Sequence, residues 1–87
     1  MTKQEIHEIN QALSERGLKK MLKKRLKIVR PTISPDTIRR AWEVEDYVEA
    51  SDALQLVLRI AKEIKEEDDR RIRRLEDILD TEYRIHA

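Results

Sequence analysis

The sequence predicts an all-α fold, a small bundle of about four helices ending in a long C-terminal helix. Three observations carry this. Ala, Glu, Lys, Leu and Arg make up just over half of the 87 residues, the composition of long helices and coiled coils. Gly occurs once and Pro twice, too few turn residues for a sandwich or barrel, and aromatic residues are scarce as well. Apolar residues recur at three- and four-residue spacing along most of the chain, the periodicity of a helix with one buried face.

The first helix is expected over residues 2–15. Thr2 is placed to cap it, Glu5 stands at the capping-box position, and Ile6, Ile9 and Leu13 line one face. Gly17, the only glycine, follows where a left-handed C-terminal residue is needed. The second helix, residues 18–29, gathers Leu18, Met21, Leu22, Leu26, Ile28 and Val29 into an arc of about 160°, with Lys20, Lys23, Lys24 and Lys27 opposite. Arg25 projects within the apolar arc and must snorkel or find a carboxylate.

Pro31 ends that helix at or before Arg30. Ser34-Pro35-Asp36-Thr37 opens a short third helix over about 35–43, with a capping serine, proline at the first helical position and an acid at the positive dipole end. Its inward face is Ile38, Ala41 and Trp42. An acidic connection with a few apolar anchors covers 44–50, and Ser51-Asp52 caps the next helix. The stripe Leu54, Val57, Leu58, Ala61, Ile64 is interrupted by the charged residues 66–71 and resumes at Ile72, Leu75, Ile78, Leu79 and Tyr83. With no glycine or proline after residue 35, the interruption reads as a polar layer in one long helix, with Glu66–Arg70, Glu67–Arg71 and Asp69–Arg73 at ion-pair spacing.

The near-neutral net charge of +1 is a cancellation. Residues 1–42 hold eleven Lys/Arg against four Asp/Glu, and residues 43–87 hold eight against fourteen. Either the basic half meets a polyanion or the two halves attract each other within a bundle or dimer.

The second and third helices resemble the helix-turn-helix of lambda-repressor-like DNA-binding proteins. The resemblance is carried by Ile33-Ser34-Pro35-Asp36-Thr37-Ile38-Arg39-Arg40-Ala41-Trp42 and covers roughly residues 4–64. Ile33, Ile38 and Ala41 match the family's buried positions, and Ser34, Pro35, Asp36, Thr37, Arg39 and Arg40 the exposed ones. Thr32 stands where the family's turn carries glycine, and Leu26 to Ile33 is longer than the tight turn, so either the second helix is extended or the turn is a loop. The resemblance implies a DNA-binding domain over 1–64, and the apolar stripe that resumes at Ile72 makes 65–87 the expected dimerising extension.

Physical chemistry points the same way. A helix fits the major groove and arginine is the commonest reader of guanine. Arg39 and Arg40, with Asp36 and Thr37 as adjuncts, are the candidate base readers. Lys19, Lys20, Lys23, Lys24, Lys27, Arg30 and Thr32, together with Ser34 at a helix start, are the candidate phosphate contacts. Ile72, Leu75, Ile78, Leu79 and Tyr83 are the candidate dimer contacts, the stretch 54–64 being needed to close the core. Read instead as one heptad seam, the helix would bury Asp68 and Arg71 as a polar layer.

The expected partners are therefore double-stranded DNA and a second copy of the chain, in a bacterial or phage type of transcriptional regulator. The alternative is a helical interaction module whose basic face binds an acidic protein, with the third helix as an ordinary capped surface helix. A membrane-surface role has less support because the basic helix carries no Trp or Phe, and base stacking on RNA has few aromatics to use. His7 and His86 do not suggest a metal site, and no nucleophile–base pair, phosphate loop or H-E-x-x-H motif is present. No enzyme activity or cofactor is expected. The absence of cysteine, signal stretch and membrane span fits a cytoplasmic protein.

Overall fold

The computed structural model describes the backbone of residues 1–86 and the side chains of residues 1–82. Four helices follow in order: α1 (Lys3–Glu15), α2 (Lys19–Val29), α3 (Pro35–Ala41) and α4 (Asp52–His86). Among the described residues there is no strand. Each of the three short helices packs principally against α4, so the long helix is the common wall of the bundle.

The local signals act as their chemistry dictates. Thr2 Oγ1 accepts from the Glu5 amide at 3.1 Å. Gly17 takes φ +68°, which lets the Leu18 amide reach the Leu13 carbonyl at 2.9 Å and the Gly17 amide reach Ser14. That pair of bonds is the Schellman arrangement, and it turns the chain directly from α1 into α2. Ser34 Oγ accepts from the Thr37 amide at 3.1 Å, with Pro35 opening α3. Helix α3 is shorter than its sequence pattern: it ends at Ala41, and Trp42 and Glu43 form a turn. Ser51 caps α4 through the Leu54 amide. The acidic connection is pinned by buried Val44 and by Gln55, whose side chain donates to the Tyr47 carbonyl at 2.7 Å.

One core joins all four helices. Ile6, Ile9 and Leu13 of α1, Leu22 and Leu26 of α2, and Ile38 and Ala41 of α3 close on Val57, Leu58, Ile60, Ala61 and Ile64 of α4. The apolar arc assigned to α2 is narrower than the sequence suggested. Met21 is largely exposed, Val29 more so, and Ile28 is 81% exposed. Only Leu22 and Leu26 lie deep, because α4 is a single helix and covers only the centre of the arc.

The core stops at a polar lid. Asp68 is 8% exposed and accepts from Arg16 at 3.1 Å and from Arg71 at 2.9 Å. Asp69 holds Arg16 at 2.7 Å and Lys65 at 2.8 Å, and Glu67 takes Arg25 through two hydrogen bonds. The i,i+4 pairs expected within residues 66–73 are therefore replaced largely by bonds to α1 and α2, and Asp68 is buried within one chain rather than between two. Among the described residues beyond Asp69, Ile72 is half-buried and the other side chains of α4 are exposed. The 35 residues of α4 span about 52 Å at 1.5 Å each, the full 53 Å length of the molecule.

Candidate nucleic-acid interface

The cations of the basic half divide into two sets according to where their helices point them. Arg16 and Arg25 face α4. The Asp69 hydrogen bond raises the Arg16 pKa, and the Glu67 hydrogen bond does the same for Arg25. The same bonds hold the carboxyls of Asp69 and Glu67 below their ordinary range, Lys65 contributing first at Asp69. These two arginines are structural ties. Arg25 has found the carboxylate that its position in the apolar arc required.

Lys20, Lys23, Lys24 and Lys27 of α2, Arg30 at its end, and Arg40 of α3 are exposed. Among the described residues none of the six is in a salt bridge. Thr32, in the connection, is exposed as well. The α2–α3 connection runs from Arg30 to Ser34 and is closed by the Ile33 amide bonding to the Arg30 carbonyl at 3.0 Å, so the turn is a short loop rather than an extension of α2.

Lys19 differs from its neighbours. It is half-buried, bonds Asn10 of α1, and places its ammonium 4.2 Å from the centre of the Trp42 ring. Burial first, and the Lys23 charge second, lower its pKa. Lys19 is thus the joint between α1, α2 and the end of α3, a cation–π contact in a sheltered site, and not a free phosphate ligand. Asn10 and Trp42 act in this joint. The sequence placed Trp42 inward but gave no sign of its cationic partner or of Asn10.

Between the start of α2 and α3 lies an open groove of about 390 Å³ lined by Ser14, Lys19, Lys23, Pro35, Ile38, Arg39 and Trp42. The exposed face of α3 presents Arg39, Asp36 and Arg40, with half-buried Thr37 at its edge. Arg39 is engaged by its own helix: it donates to Asp36 at 2.7 Å and to Glu43 at 3.4 Å. That hydrogen bond lowers the Asp36 pKa and raises that of Arg39. Ser34 and Thr37 are bonded to each other, at 2.9 Å between hydroxyls, as well as through the cap. The Ser34 hydroxyl is therefore occupied, and the seven-residue α3 offers no phosphate seat of its own at that end.

The chain matches no protein-family model, no curated protein and no solved structure. No helix among the described residues is long and apolar enough to cross a membrane, and no group of three or more His, Asp or Glu side chains there is arranged to hold a metal ion.

The candidate dimer residues occupy the uncovered half of α4. Ile72 is half-buried, while Leu75, Ile78 and Leu79 are about half exposed or more. Tyr83 lies outside the described side chains.

Proposed function

We propose that the protein binds double-stranded DNA through α2, the Arg30–Ser34 connection and α3. One observation carries the reading. The inward cations Arg16 and Arg25 are neutralised by α4, while six outward cations of this segment, Lys20, Lys23, Lys24, Lys27, Arg30 and Arg40, are in no salt bridge among the described residues. A surface with unneutralised charge of one sign suits a polyanion, whose phosphates release counterions on contact.

In this reading the α2 lysines and Arg30 meet phosphates, which position the protein without reading sequence. Arg40, in no salt bridge with its own helix, is the foremost base reader on α3. Arg39 reads bases only after exchanging Asp36 and Glu43 for the duplex, and Asp36 is then free to accept from a cytosine amino group. Lys19 and Trp42 keep α3 at a fixed angle to α2.

Selection of bound duplexes from a random pool tests the reading. Arg40→Ala is expected to blur the selected sequence, and Lys23→Ala to weaken all sequences alike. No duplex binding at low salt overturns DNA binding altogether. The rival reading is an interaction module whose basic face takes an acidic protein. It draws on the same lysines and on an apolar groove between α2 and α4, where Ile28, Val29, Leu56 and Ile60 are flanked by Arg25, Arg59 and Glu63.

A further inference from the structure

Past its polar lid α4 is an amphipathic helix whose apolar face is exposed at Leu75, Ile78 and Leu79. At 100° per residue, Ile72, Leu75, Ile78 and Leu79 continue the face that Val57, Ile60, Ala61 and Ile64 bury inside the bundle. Among the described residues that face is half-buried at Ile72 and exposed at Leu75, Ile78 and Leu79. A helix of this length standing alone in water is marginal.

The chain as a whole exposes more surface than a compact fold of its mass, by enough for one side of a standard interface. A compact monomer of 10.4 kDa exposes about 5,400 Å². This chain exposes 6564 Å². The excess, about 1,200 Å², exceeds the roughly 800 Å² that each partner contributes to a standard interface. The radius of gyration is 16.0 Å, against about 12 Å for a compact chain of this length.

The charge order along the free segment selects both the occupant and its direction. Arg70, Arg71, Arg73 and Arg74 come first, and Glu76, Asp77, Asp80 and Glu82 follow Leu75. Each copy thus carries a basic block and an acidic block on either side of one apolar stripe. Laid parallel, two copies oppose arginine to arginine and acid to acid. Laid antiparallel, each basic block meets an acidic one, with the two-fold axis near Leu75 and Glu76.

We propose that residues 70–82 of α4 pair antiparallel with the same segment of a second copy, placing the two bundles at opposite ends of the assembly. The pairing holds whether or not α2 and α3 take DNA.

The chain has no cysteine, so Arg59→Cys, on an exposed position of α4, gives one spin-label site per copy. A light-scattering mass near twice 10.4 kDa and a label–label distance of about 50 Å, from the 1.5 Å rise to the axis and back, are expected. A monomer overturns the pairing, and a distance of about 20 Å or less overturns the direction, because parallel helices would hold the labels side by side. Arg73→Glu with Arg74→Glu should weaken self-association at least about tenfold. Adding Glu76→Lys and Asp77→Lys to that chain should restore it. Circular dichroism on each variant separates lost pairing from lost folding. Self-association unchanged by the first pair of substitutions overturns the charge argument.

Discussion

The separation of inward from outward cations makes a quantitative prediction. If Lys20, Lys23, Lys24, Lys27 and Arg30 each neutralise one phosphate, log K against log salt should fall with a slope of about −4.5, since each contact contributes about −0.9. Affinity should then drop about 500-fold between about 50 and about 200 mM salt. Lys24→Ala should reduce the slope by about 0.9 and leave stability within about 0.5 kcal/mol, because Lys24 is exposed and in no salt bridge. Arg25→Ala should do the opposite. Its guanidinium is held by Glu67 at 2.7 Å, so the slope should not change. The stability loss should be no more than about 1 kcal/mol, the pair being partly exposed and screened.

Fluorescence anisotropy of a labelled duplex, titrated at several salt concentrations, reads the slope, and thermal melts of the same variants read the stability. A slope shallower than about −2 refutes the idea that these cations form one phosphate-binding surface. An Arg25→Ala variant that lowers the slope as much as Lys24→Ala refutes the division into two sets.

Other perturbations test the frame that holds the surface. Leu22→Ala removes a fully buried side chain between α2 and α4 and should cost about 2–5 kcal/mol in a denaturant titration. Gly17→Ala meets no atom within 4 Å, so its penalty is purely that of the left-handed backbone, about 1 kcal/mol, and should show as a modest fall in melting temperature. The low carboxyl pKa values of Asp69 and Glu67 contribute stability above the ordinary carboxylate range. That contribution should be lost as pH falls through and below about 4, while stability near neutrality stays flat as far as these groups are concerned. Asp69→Asn should flatten this acid limb. Trp42→Ala should free the Lys19 ammonium from its ring contact and weaken DNA binding without altering the number of phosphate contacts, read as a parallel offset in the salt titration.

Local chemistry was the most legible part of the sequence. Thr2, Gly17, Ser34 and Pro35 act on their immediate neighbours, and their caps formed as their residue types required. The uninterrupted α4 was legible for the same reason, since no glycine or proline breaks it. Partners across the fold were not. Glu67 and Asp69 stand at correct i,i+4 spacing for arginines on their own helix, yet they bind Arg25 and Arg16, 42 and 53 residues away. Ile28 and Val29 have the hydropathy and phase of core residues but reach the edge where α4 no longer covers α2. Periodicity gives the direction of a side chain and not the extent of the wall it faces.

The same limit explains the two cation sets. In the sequence Arg25 is one of a run of bases between Lys24 and Lys27, and Arg39 and Arg40 are adjacent equals. Folding makes them unequal. The long helix carries acids where its core-facing side ends, at Glu67, Asp68 and Asp69, and these take the cations that α1 and α2 turn toward it. Arg39 and Arg40 flank Asp36 within about 60° of it around α3, yet only Arg39 closes salt bridges, to Asp36 and to Glu43, while Arg40 acts on Asp36 through its charge alone. The near-zero net charge therefore does not describe the surface. Acids concentrated at the bundle's polar lid neutralise the inward arginines and leave the outer side of α2 and α3 strongly basic. That residual charge, set by helix phase more than by composition, is what the salt slope measures.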